Sequence, residues 1–216
     1  MRGDVSAKER PFLSMLPAGR GDRRLALAVV LASVVFFVAA VPFAKVSLAP
    51  VWVFIPIYQS ALVVNDLITA VLLFGQFSIL RSSALLALAG GYLFTAFMAA
   101  FHGLTFPGLF APAGLLGAGP QSTAWLYMFW HGGFPLLVIA YAWLKRGESG
   151  TSRSRALNAG VAIPFAVAAA FAAAGGLTFL ATSGQHLLPA IMRGNNYTPA
   201  MVFVVSSIWT SSLFAL

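Results

Sequence analysis

Six long hydrophobic stretches dominate the chain, and polar or Pro/Gly-rich segments separate them. A helix needs about 20 consecutive apolar residues to cross the hydrocarbon core of a bilayer. Five stretches approach or exceed this length, whereas the last has sixteen residues and is expected to be a truncated span. The pattern therefore predicts an all-α, polytopic transmembrane helical bundle of about six spans. The predicted spans are residues 25–43, 53–80 (in two parts around Pro56), 84–101, 122–144, 157–182 and 201–216.

The composition indicates the same class of protein. Of the 216 residues, 60% are hydrophobic and 8% are charged, whereas soluble domains are about 45–50% apolar and about 25% charged. The absence of cysteine excludes disulfides and thiolate metal sites. Residues 1–24 are polar, basic and interrupted by proline and glycine, so we expect a disordered cytoplasmic tail. Residues 25–216 are expected to form the membrane domain.

The basic residues indicate how the predicted bundle is oriented. With the amino terminus in the cytoplasm, eleven Lys and Arg residues fall on the cytoplasmic side and two, Lys45 and Arg193, on the outer side. Cytoplasmic loops of membrane proteins carry the excess of positive charge, so we expect this orientation. The net charge of +8 is then explained by topology and by contact with anionic membrane lipid, not by a nucleic-acid partner.

The second predicted span carries a polar stripe on one helical face. Its members, at spacings of seven, three and seven residues, are Gln59, Asp66, Thr69 and Gln76. Asn65 adjoins Asp66, which is the only acid between the first span and Glu148. An intramembrane acid costs about 2.5–3.5 kcal/mol on insertion scales and is by default a candidate for function. The alternative interpretation is a hydrogen-bonding anchor between helices.

The fourth predicted span contains His131, a Gly132-Gly133 pair and Pro135. Proline has no N–H to donate to the carbonyl four residues earlier, which here belongs to His131. We expect a kink at this point, and the two glycines with the proline form a candidate hinge. His131 and Asp66 are predicted at similar depths below the outer ends of their spans. They could form a functional pair, or His131 could be a neutral ring bonded to a backbone carbonyl.

Aromatic and histidine side chains gather toward the outer half of the predicted bundle. Tyr127 and Trp130 of span four belong either to an aromatic belt at the membrane interface or to a ligand pocket. The apolar connection 102–120 is expected to cover the bundle as a re-entrant or interfacial cap. Three scattered histidines without a local spacing motif give weak support for a metal or haem site, and they identify no cofactor. These histidines are His102, His131 and His186.

Motifs of well-known enzyme classes are missing from the sequence. It contains no P-loop, no His-Glu-x-x-His, no Gly-x-Ser-x-Gly and no paired acids. No internal repeat stands out, which disfavours the inverted-repeat transporters. Because these catalytic motifs are missing, we expect a region without catalytic residues.

The Gly/Ala-rich fifth span suits close helix packing and contact within a homodimer.

Several runs of residues resemble the fourth type of bacterial membrane-associated sensor domain, and the likeness extends from about residue 25 to the end of the chain. The runs are Pro-Ile-Tyr-Gln-Ser at 56–60, Asn-Asp at 65–66, Leu-Phe-Gly-Gln at 73–76, Gly-Gly-Tyr-Leu-Phe-Thr-Ala at 90–96, Phe-Pro-Gly-Leu-Phe-Ala-Pro at 106–112, the Gly-rich run 114–121, and Trp-Leu-Tyr-Met-Phe-Trp-His-Gly-Gly-Phe-Pro at 125–135. In such proteins the domain usually precedes a cytoplasmic histidine kinase or diguanylate cyclase. The resemblance implies an input domain of the bacterial inner membrane whose output domain is not in this chain.

The sequence thus predicts a sensory input domain that changes its helix packing on a signal and passes the change through its last helix. The candidate signal site is Asp66 with His131, under the 102–120 cap. Its full set of residues is Asp66, His131, Gln59, Asn65, Tyr127, Trp130 and His102. The alternative is a small proton-coupled transporter or channel in which Asp66 and His131 carry protons. A membrane-embedded enzyme ranks last, because no acids accompany His102 and His186.

Overall fold

The computed structural model describes residues 19–44, 46, 51–148, 158–194 and 196–215. These residues form helices and one small hairpin, which confirms the predicted all-α, polytopic class. The elements are α1 (Arg20–Ala40), a 3₁₀ turn (Val41–Phe43), α2 (Phe54–Leu80), α3 (Ser83–Thr105), α4 (Ser122–Glu148), α5 (Ala159–Ala181), a 3₁₀ turn (Gln185–Leu187), β1 (Met192–Arg193), β2 (Asn196–Tyr197) and α6 (Pro199–Ala215). Helices α1 to α5 are long and apolar enough to span a membrane. The sixth apolar run also forms a helix, α6, but with 17 residues it is shorter.

Helix α1 begins earlier than the apolar pattern predicts. Residues 20–24, assigned to the disordered tail from the sequence, are its first residues. The carboxylate of Asp22 accepts a hydrogen bond from the backbone N–H of Gly19 (2.9 Å), which closes the first turn of the helix. A negative charge in this turn also interacts favourably with the helix dipole. The rest of the predicted tail, residues 1–18, lies outside the described residues.

Helix α2 is continuous, although the sequence predicted two parts around Pro56. Pro56 is the third residue of the helix, where a backbone N–H would have no partner within the helix in any case. The buried residues of α2 fall on one face: Gln59, Asp66, Ala70 and Phe77. The polar stripe therefore turns inward, with Gln59 and Asp66 buried and Thr69 and Gln76 half-buried.

Only residues 81–83 separate the second and third predicted spans, and so short a connection predicts an antiparallel hairpin. Helices α2 and α3 form this hairpin. Arg81 has a left-handed backbone conformation (φ 54°) that ends α2, and the hydroxyl of Ser82 caps the first turn of α3. Glu148, the last residue of α4, accepts hydrogen bonds from the Ser82 and Ser83 hydroxyls (2.8 and 2.9 Å). It also accepts one from the backbone N–H of Ala84 (3.0 Å). This carboxylate fixes the end of α4 to the start of α3, and we call this side of the bundle the turn end.

Helix α3 is the most buried of the helices, and it contacts α2, α4 and α5, while α6 packs on α4. Glycines permit the close approach of these helices. A methyl group on Gly133 of α4 would lie 2.6 Å from Cε1 of Phe94 in α3. A methyl group on Gly132 would lie 3.2 Å from Cγ1 of Ile208 in α6. The glycine pair predicted as part of a hinge therefore has a packing role, and its motion stays a prediction.

The side opposite the turn end is closed by two connecting segments, the one between α3 and α4 and the one between α5 and α6. We call this side the loop end. Gln121, just before α4, joins these segments. Its Oε1 accepts hydrogen bonds from the N–H groups of Ile191 and Met192 (2.9 and 3.0 Å). Its Nε2 donates to the carbonyl of Met192 (2.8 Å). The segment before α4 is thus held against the segment that connects α5 to α6.

Helix α3 extends to Thr105, beyond the predicted end of the third span. His102, which the sequence placed at the start of a loop, is therefore a buried residue in the last helical turn. The segment over the loop end begins at Phe106, and internal turns fold it back on α3. Gly114 has a positive φ of 86° and lies against the carbonyl of Thr105, so a side chain has no room there.

The variant Gly133→Ala should destabilise the bundle by about 1–3 kcal/mol, because the new methyl group overlaps the buried ring of Phe94. Thermal unfolding in detergent, followed by circular dichroism, measures the change. The matched control is Gly75→Ala in α2, where a methyl group meets no atom within 4 Å. That variant should keep or slightly raise the stability, because alanine is a better helix former. Equal unfolding temperatures for the two variants would contradict the packing role of Gly133.

The predicted orientation can be tested with single cysteines, since the sequence has none. Ser183→Cys at the loop end should react with a membrane-impermeant maleimide in intact spheroplasts. Gly147→Cys at the turn end should react only after the membrane is opened, because the excess of Lys and Arg belongs to that end. Both positions are exposed, so the reagent can reach either one from its own side of the membrane. The reverse labelling pattern would show that the bundle has the opposite orientation to the one predicted.

Candidate functional site

A cavity of about 670 Å³ opens at the loop end between α2, α3, α4 and the two closing segments. We call it the loop-end cavity. Ligand sites commonly have volumes of about 300–1,000 Å³ and combine apolar walls with a few polar groups, as this cavity does. Four of the residues selected from the sequence line it: Gln59, His102, Tyr127 and Trp130.

His102 and Gln59 form the polar centre of the loop-end cavity. Each side chain is 6% exposed, and the amide Nε2 of Gln59 donates a hydrogen bond to Nδ1 of His102. With Nδ1 as the acceptor, a neutral imidazole carries its proton on Nε2. Gly103 follows His102 in α3, and a methyl group there would lie 3.5 Å from Oε1 of Gln59. The small residue on α3 thus leaves space for the long side chain from α2.

One atom on each side chain of this pair has no hydrogen-bond partner among the described residues. Oε1 of Gln59 is buried and unpaired. Nε2 of His102 likewise makes no hydrogen bond within the described part of the chain. A buried polar atom without a partner costs about 1–3 kcal/mol. Oε1 of Gln59 has almost no accessible surface, so a molecule in the cavity reaches it only if the pair rearranges.

Aromatic rings surround the imidazole of His102. The ring centroids of Phe106, Tyr127 and Trp130 lie 6.0, 6.1 and 6.2 Å from it. Tyr127 and Trp130 are three residues apart in α4, a spacing that places both side chains on one face of the helix. Their rings meet edge to face at 6.5 Å. This arrangement supports the interpretation of Tyr127 and Trp130 as members of a pocket rather than of an aromatic belt at the membrane interface.

A second cavity, of about 370 Å³, lies between α2, α3, α4 and α6 and is lined by Asp66; we call it the Asp66 cavity. His131 lines the same cavity, so the two side chains lie at similar depth. Oδ2 of Asp66 accepts its hydrogen bond from the hydroxyl of Thr95 in α3 (2.7 Å) rather than from His131. That hydroxyl also lies 2.8 Å from the carbonyl of Tyr92, so two acceptors compete for one proton. Asp66 therefore makes the interhelical bond that the anchor interpretation requires.

His131 forms its hydrogen bond within its own helix. Its Nδ1 donates to the carbonyl of Tyr127 (2.8 Å), one turn earlier, and its ring stacks on the Tyr127 ring with centroids 3.8 Å apart. Of the two alternatives for His131, a pair with Asp66 or a ring bonded to a backbone carbonyl, this geometry matches the second. Ile208 and Ser212 of α6 line a further cavity of about 220 Å³ with His131. The histidine thus lies where α4 faces the last helix.

The residues selected from the sequence divide between two adjacent cavities that share part of their walls. Tyr58 and Trp130 line both of them. Asn65 lies on the exposed side of α2 and lines neither cavity. Pro135 is buried in the wall of the Asp66 cavity, within the continuous helix α4. The structure thus gathers most of the predicted site. His131 lines one cavity with Asp66, as predicted, whereas His102 bonds to Gln59 in the wall of the other cavity.

The three histidines considered for a metal site belong to separate elements. His102 and His131 lie in α3 and α4, and His186 is exposed in the 3₁₀ turn after α5. Within the described ranges, no group of three or more His, Cys, Asp or Glu side chains could hold a metal ion. The geometry therefore adds no support for a histidine–metal site.

Sequence reasoning missed Thr95, Phe106 and the role of Tyr58. Thr95 is a polar residue inside an apolar run, and this signal could have selected it as a partner for a buried acid. Phe106 had no comparable signal, because its place beside His102 depends on where α3 ends. Tyr58 adjoins Gln59, but its contact with both cavities depends on the rotation of α2.

Together these features define a multi-pass integral membrane domain with polar groups enclosed between its helices. The sequence profile of the MASE4 family, described as a membrane-associated sensor, integral membrane domain, matches residues 49–215. The chain belongs to this family of membrane sensor domains. The matched range includes α2 to α6, and α1 precedes it. No curated protein and no solved structure matches the chain.

The variant Thr95→Val keeps the side-chain shape but removes the hydroxyl that donates to Asp66, so a buried acceptor loses its partner. We expect a loss of about 1–3 kcal/mol in the free energy of unfolding, measured by titration with a denaturing detergent. The matched control is Thr69→Val, whose hydroxyl bonds, within the described residues, to the Asn65 carbonyl of its own helix (2.9 Å). It should change stability by less than about 0.5 kcal/mol. Equal losses in both variants would show that the Thr95–Asp66 bond contributes nothing.

Proposed function

We propose that this sensor domain is the input region of a bacterial signal-transduction protein and that it controls a cytoplasmic histidine kinase or diguanylate cyclase. Membership in a family of membrane sensor domains supports the sensory role. It also suggests that this region has no catalytic activity of its own. The output domain is either joined to this chain or acts as a separate partner.

The observation that carries the proposal is the wall shared by the two cavities. Trp130 is 7% exposed and lines both, with the ring of His131 4.8 Å away between centroids. Because protein interiors are close-packed, a molecule that moves Trp130 in the loop-end cavity must also disturb the surroundings of Asp66. The loop-end cavity is thus the receiving site in this proposal, and the Asp66 cavity responds to it.

Helix α6 is the element through which the change would leave the bundle. It packs on α4, where Ile208 lies against Gly132 and Ser212 lines two cavities with His131. A ligand shifts the balance between two helix arrangements only by the difference in its affinity for them. In the proposed mechanism the occupied cavity favours one arrangement of α4 against α6, and the output domain responds to the position of α6.

The surroundings of the bundle complete the proposal. The turn end faces the cytoplasm, where its Lys and Arg residues contact anionic lipid. Helix α5 presents exposed alanine and glycine residues, which suit close packing against a second copy of the chain. Membrane lipid, the output domain and a second copy are therefore the proposed partners.

The variants Asp66→Asn and His131→Ala should each reduce the response of the output by about five-fold or more, since coupling between sites is typically worth that much. The Asn variant removes the ionisable carboxyl group at nearly constant shape, and the Ala variant removes the ring between Tyr127 and α6. The measurement is kinase or cyclase output in cells in which the chain is joined to its output domain.

Membrane fractionation must show that both variants still insert into the membrane at the level of the parent. Thr69→Val serves as the control, because Thr69 lines neither the loop-end cavity nor the Asp66 cavity, and its output should match the parent. Normal output from both Asp66→Asn and His131→Ala would overturn the proposed route.

A further inference from the structure

The charge in the wall of the Asp66 cavity is negative. Among the described residues that line the cavity, Asp66 provides the only carboxyl group, and none is Lys or Arg. His131 lines the cavity too, but its Nδ1 bonds to the carbonyl of Tyr127 rather than to the carboxylate. An ionised carboxylate buried without a partner of opposite charge carries a large desolvation cost. A positively charged molecule in the cavity would supply the missing partner.

The carboxylate of Asp66 retains acceptor capacity for such a molecule. The hydroxyl of Thr95 donates to Oδ2 (2.7 Å), whereas the two oxygens of a carboxylate can accept about four hydrogen bonds. Asp66 is 9% exposed and lines the cavity, so its side chain is not sealed off from it. A primary or secondary ammonium group matches this site, because it combines a positive charge with N–H donors.

Aromatic rings make up much of the remaining wall. The aromatic residues that line the cavity are Tyr58, Tyr92, Trp130 and Phe134. The rings of Tyr92 and Phe134 meet edge to face, with centroids 5.2 Å apart. Aromatic faces attract a cation that lies within about 6 Å of the ring centroid, and they also pack against apolar groups. The cavity volume of about 370 Å³ leaves room for an organic group beside the ammonium, since ligand sites commonly have volumes of about 300–1,000 Å³.

We propose that the Asp66 cavity binds a small amphiphilic amine, that is, a primary or secondary ammonium group attached to an apolar body. The ammonium donates a hydrogen bond to Asp66, and the apolar body packs against the aromatic rings. Tyr58 is 45% exposed, so the edge of the cavity at α2 is open beside apolar helices. An amphiphilic amine partitions into the membrane and can enter at this edge. The proposal does not depend on the proposed function, in which the Asp66 cavity only responds to the loop-end cavity.

Simpler partners of the carboxylate use only part of the cavity. A proton would neutralise Asp66 but would leave the volume of about 370 Å³ unfilled. A metal ion such as Ca²⁺ takes about six to eight oxygen ligands, and the described ranges contain no group of three or more His, Cys, Asp or Glu side chains that could hold one. A quaternary ammonium ion has the charge but no N–H to donate to the carboxylate. The amphiphilic amine is the class that uses the charge, the acceptor and the rings together.

The test compares 2-phenylethylamine, which is protonated at neutral pH, with 2-phenylethanol, which keeps the ring and the chain but has no charge. The purified chain in nanodiscs of zwitterionic phosphatidylcholine is titrated with each compound by calorimetry, and the heat from empty nanodiscs is subtracted. This lipid avoids the attraction of the amine to anionic head groups. We expect saturable binding of the amine, with a Kd at least about ten-fold lower than that of the alcohol, because charge-assisted hydrogen bonds are stronger than neutral ones.

The variant Asp66→Asn should raise the Kd of the amine about ten-fold or more and leave that of the alcohol nearly unchanged, because it removes the charge at nearly constant shape. Asp22→Asn is the matched control: it makes the same substitution at an exposed residue of α1 that does not line the Asp66 cavity. It should bind the amine as the parent does. If Asp66→Asn fails to fold, the comparison of amine with alcohol on the parent chain decides the question.

Equal affinities for the amine and the alcohol, or no saturable binding of the amine, would overturn the proposal. So would an Asp66→Asn variant that binds the amine as tightly as the parent. Tighter binding of the trimethylated amine would overturn it in favour of a cation cage formed by the rings alone. The binding test needs no output domain, so its result is separate from the proposed function. Charge-dependent binding together with normal output from Asp66→Asn and His131→Ala would sustain the ligand class and reject the signalling route.

Discussion

The close approach of α3 to α4 is the contact on which the rest of the bundle depends. In hydrocarbon, apolar surfaces gain little by leaving lipid, so helices associate through tight van der Waals packing and interhelical hydrogen bonds. Gly133 permits the tight packing, because it leaves room for the ring of Phe94. Glu148 provides interhelical hydrogen bonds to the start of α3. With α4 held at this distance, Trp130 reaches His102, and both cavities acquire a wall.

Polar side chains within this membrane domain are arranged as interhelical pairs, and the two main pairs differ in an informative way. Asp66 bonds to Thr95, and the bond ties α2 to α3 in the middle of the hairpin. Gln59 and His102 tie the same two helices near the loop end, but Oε1 of Gln59 has no hydrogen-bond partner among the described residues. The first pair stabilises the bundle, whereas the second retains a buried acceptor without a partner in the described part of the chain.

Sensor and transporter interpretations both begin from an acid and a histidine at similar depth in the membrane. Asp66 and His131 do share a cavity, yet each is engaged by its own partner, Thr95 and the Tyr127 carbonyl. The family relationship of the chain is with membrane sensors. A conformational role fits this geometry well, because moving Trp130 alters both cavities without any transfer of a proton between the two side chains.

The sequence by itself determined the membrane class, the number of apolar helices and the tight α2–α3 turn, because bilayer thickness and turn chemistry act on local stretches of chain. Six of the seven candidate site residues that it selected line one or both of the two cavities. It did not determine their pairing: Gln59 faces His102 while Asn65 faces outward, a distinction that depends on the rotation of α2 in the bundle. It likewise ended the third span too early, because the last turn of α3 is held by long-range contacts such as that of His102 with Gln59. Helix rotation and mutual depth are set by packing between distant segments, and only the tertiary structure decided them.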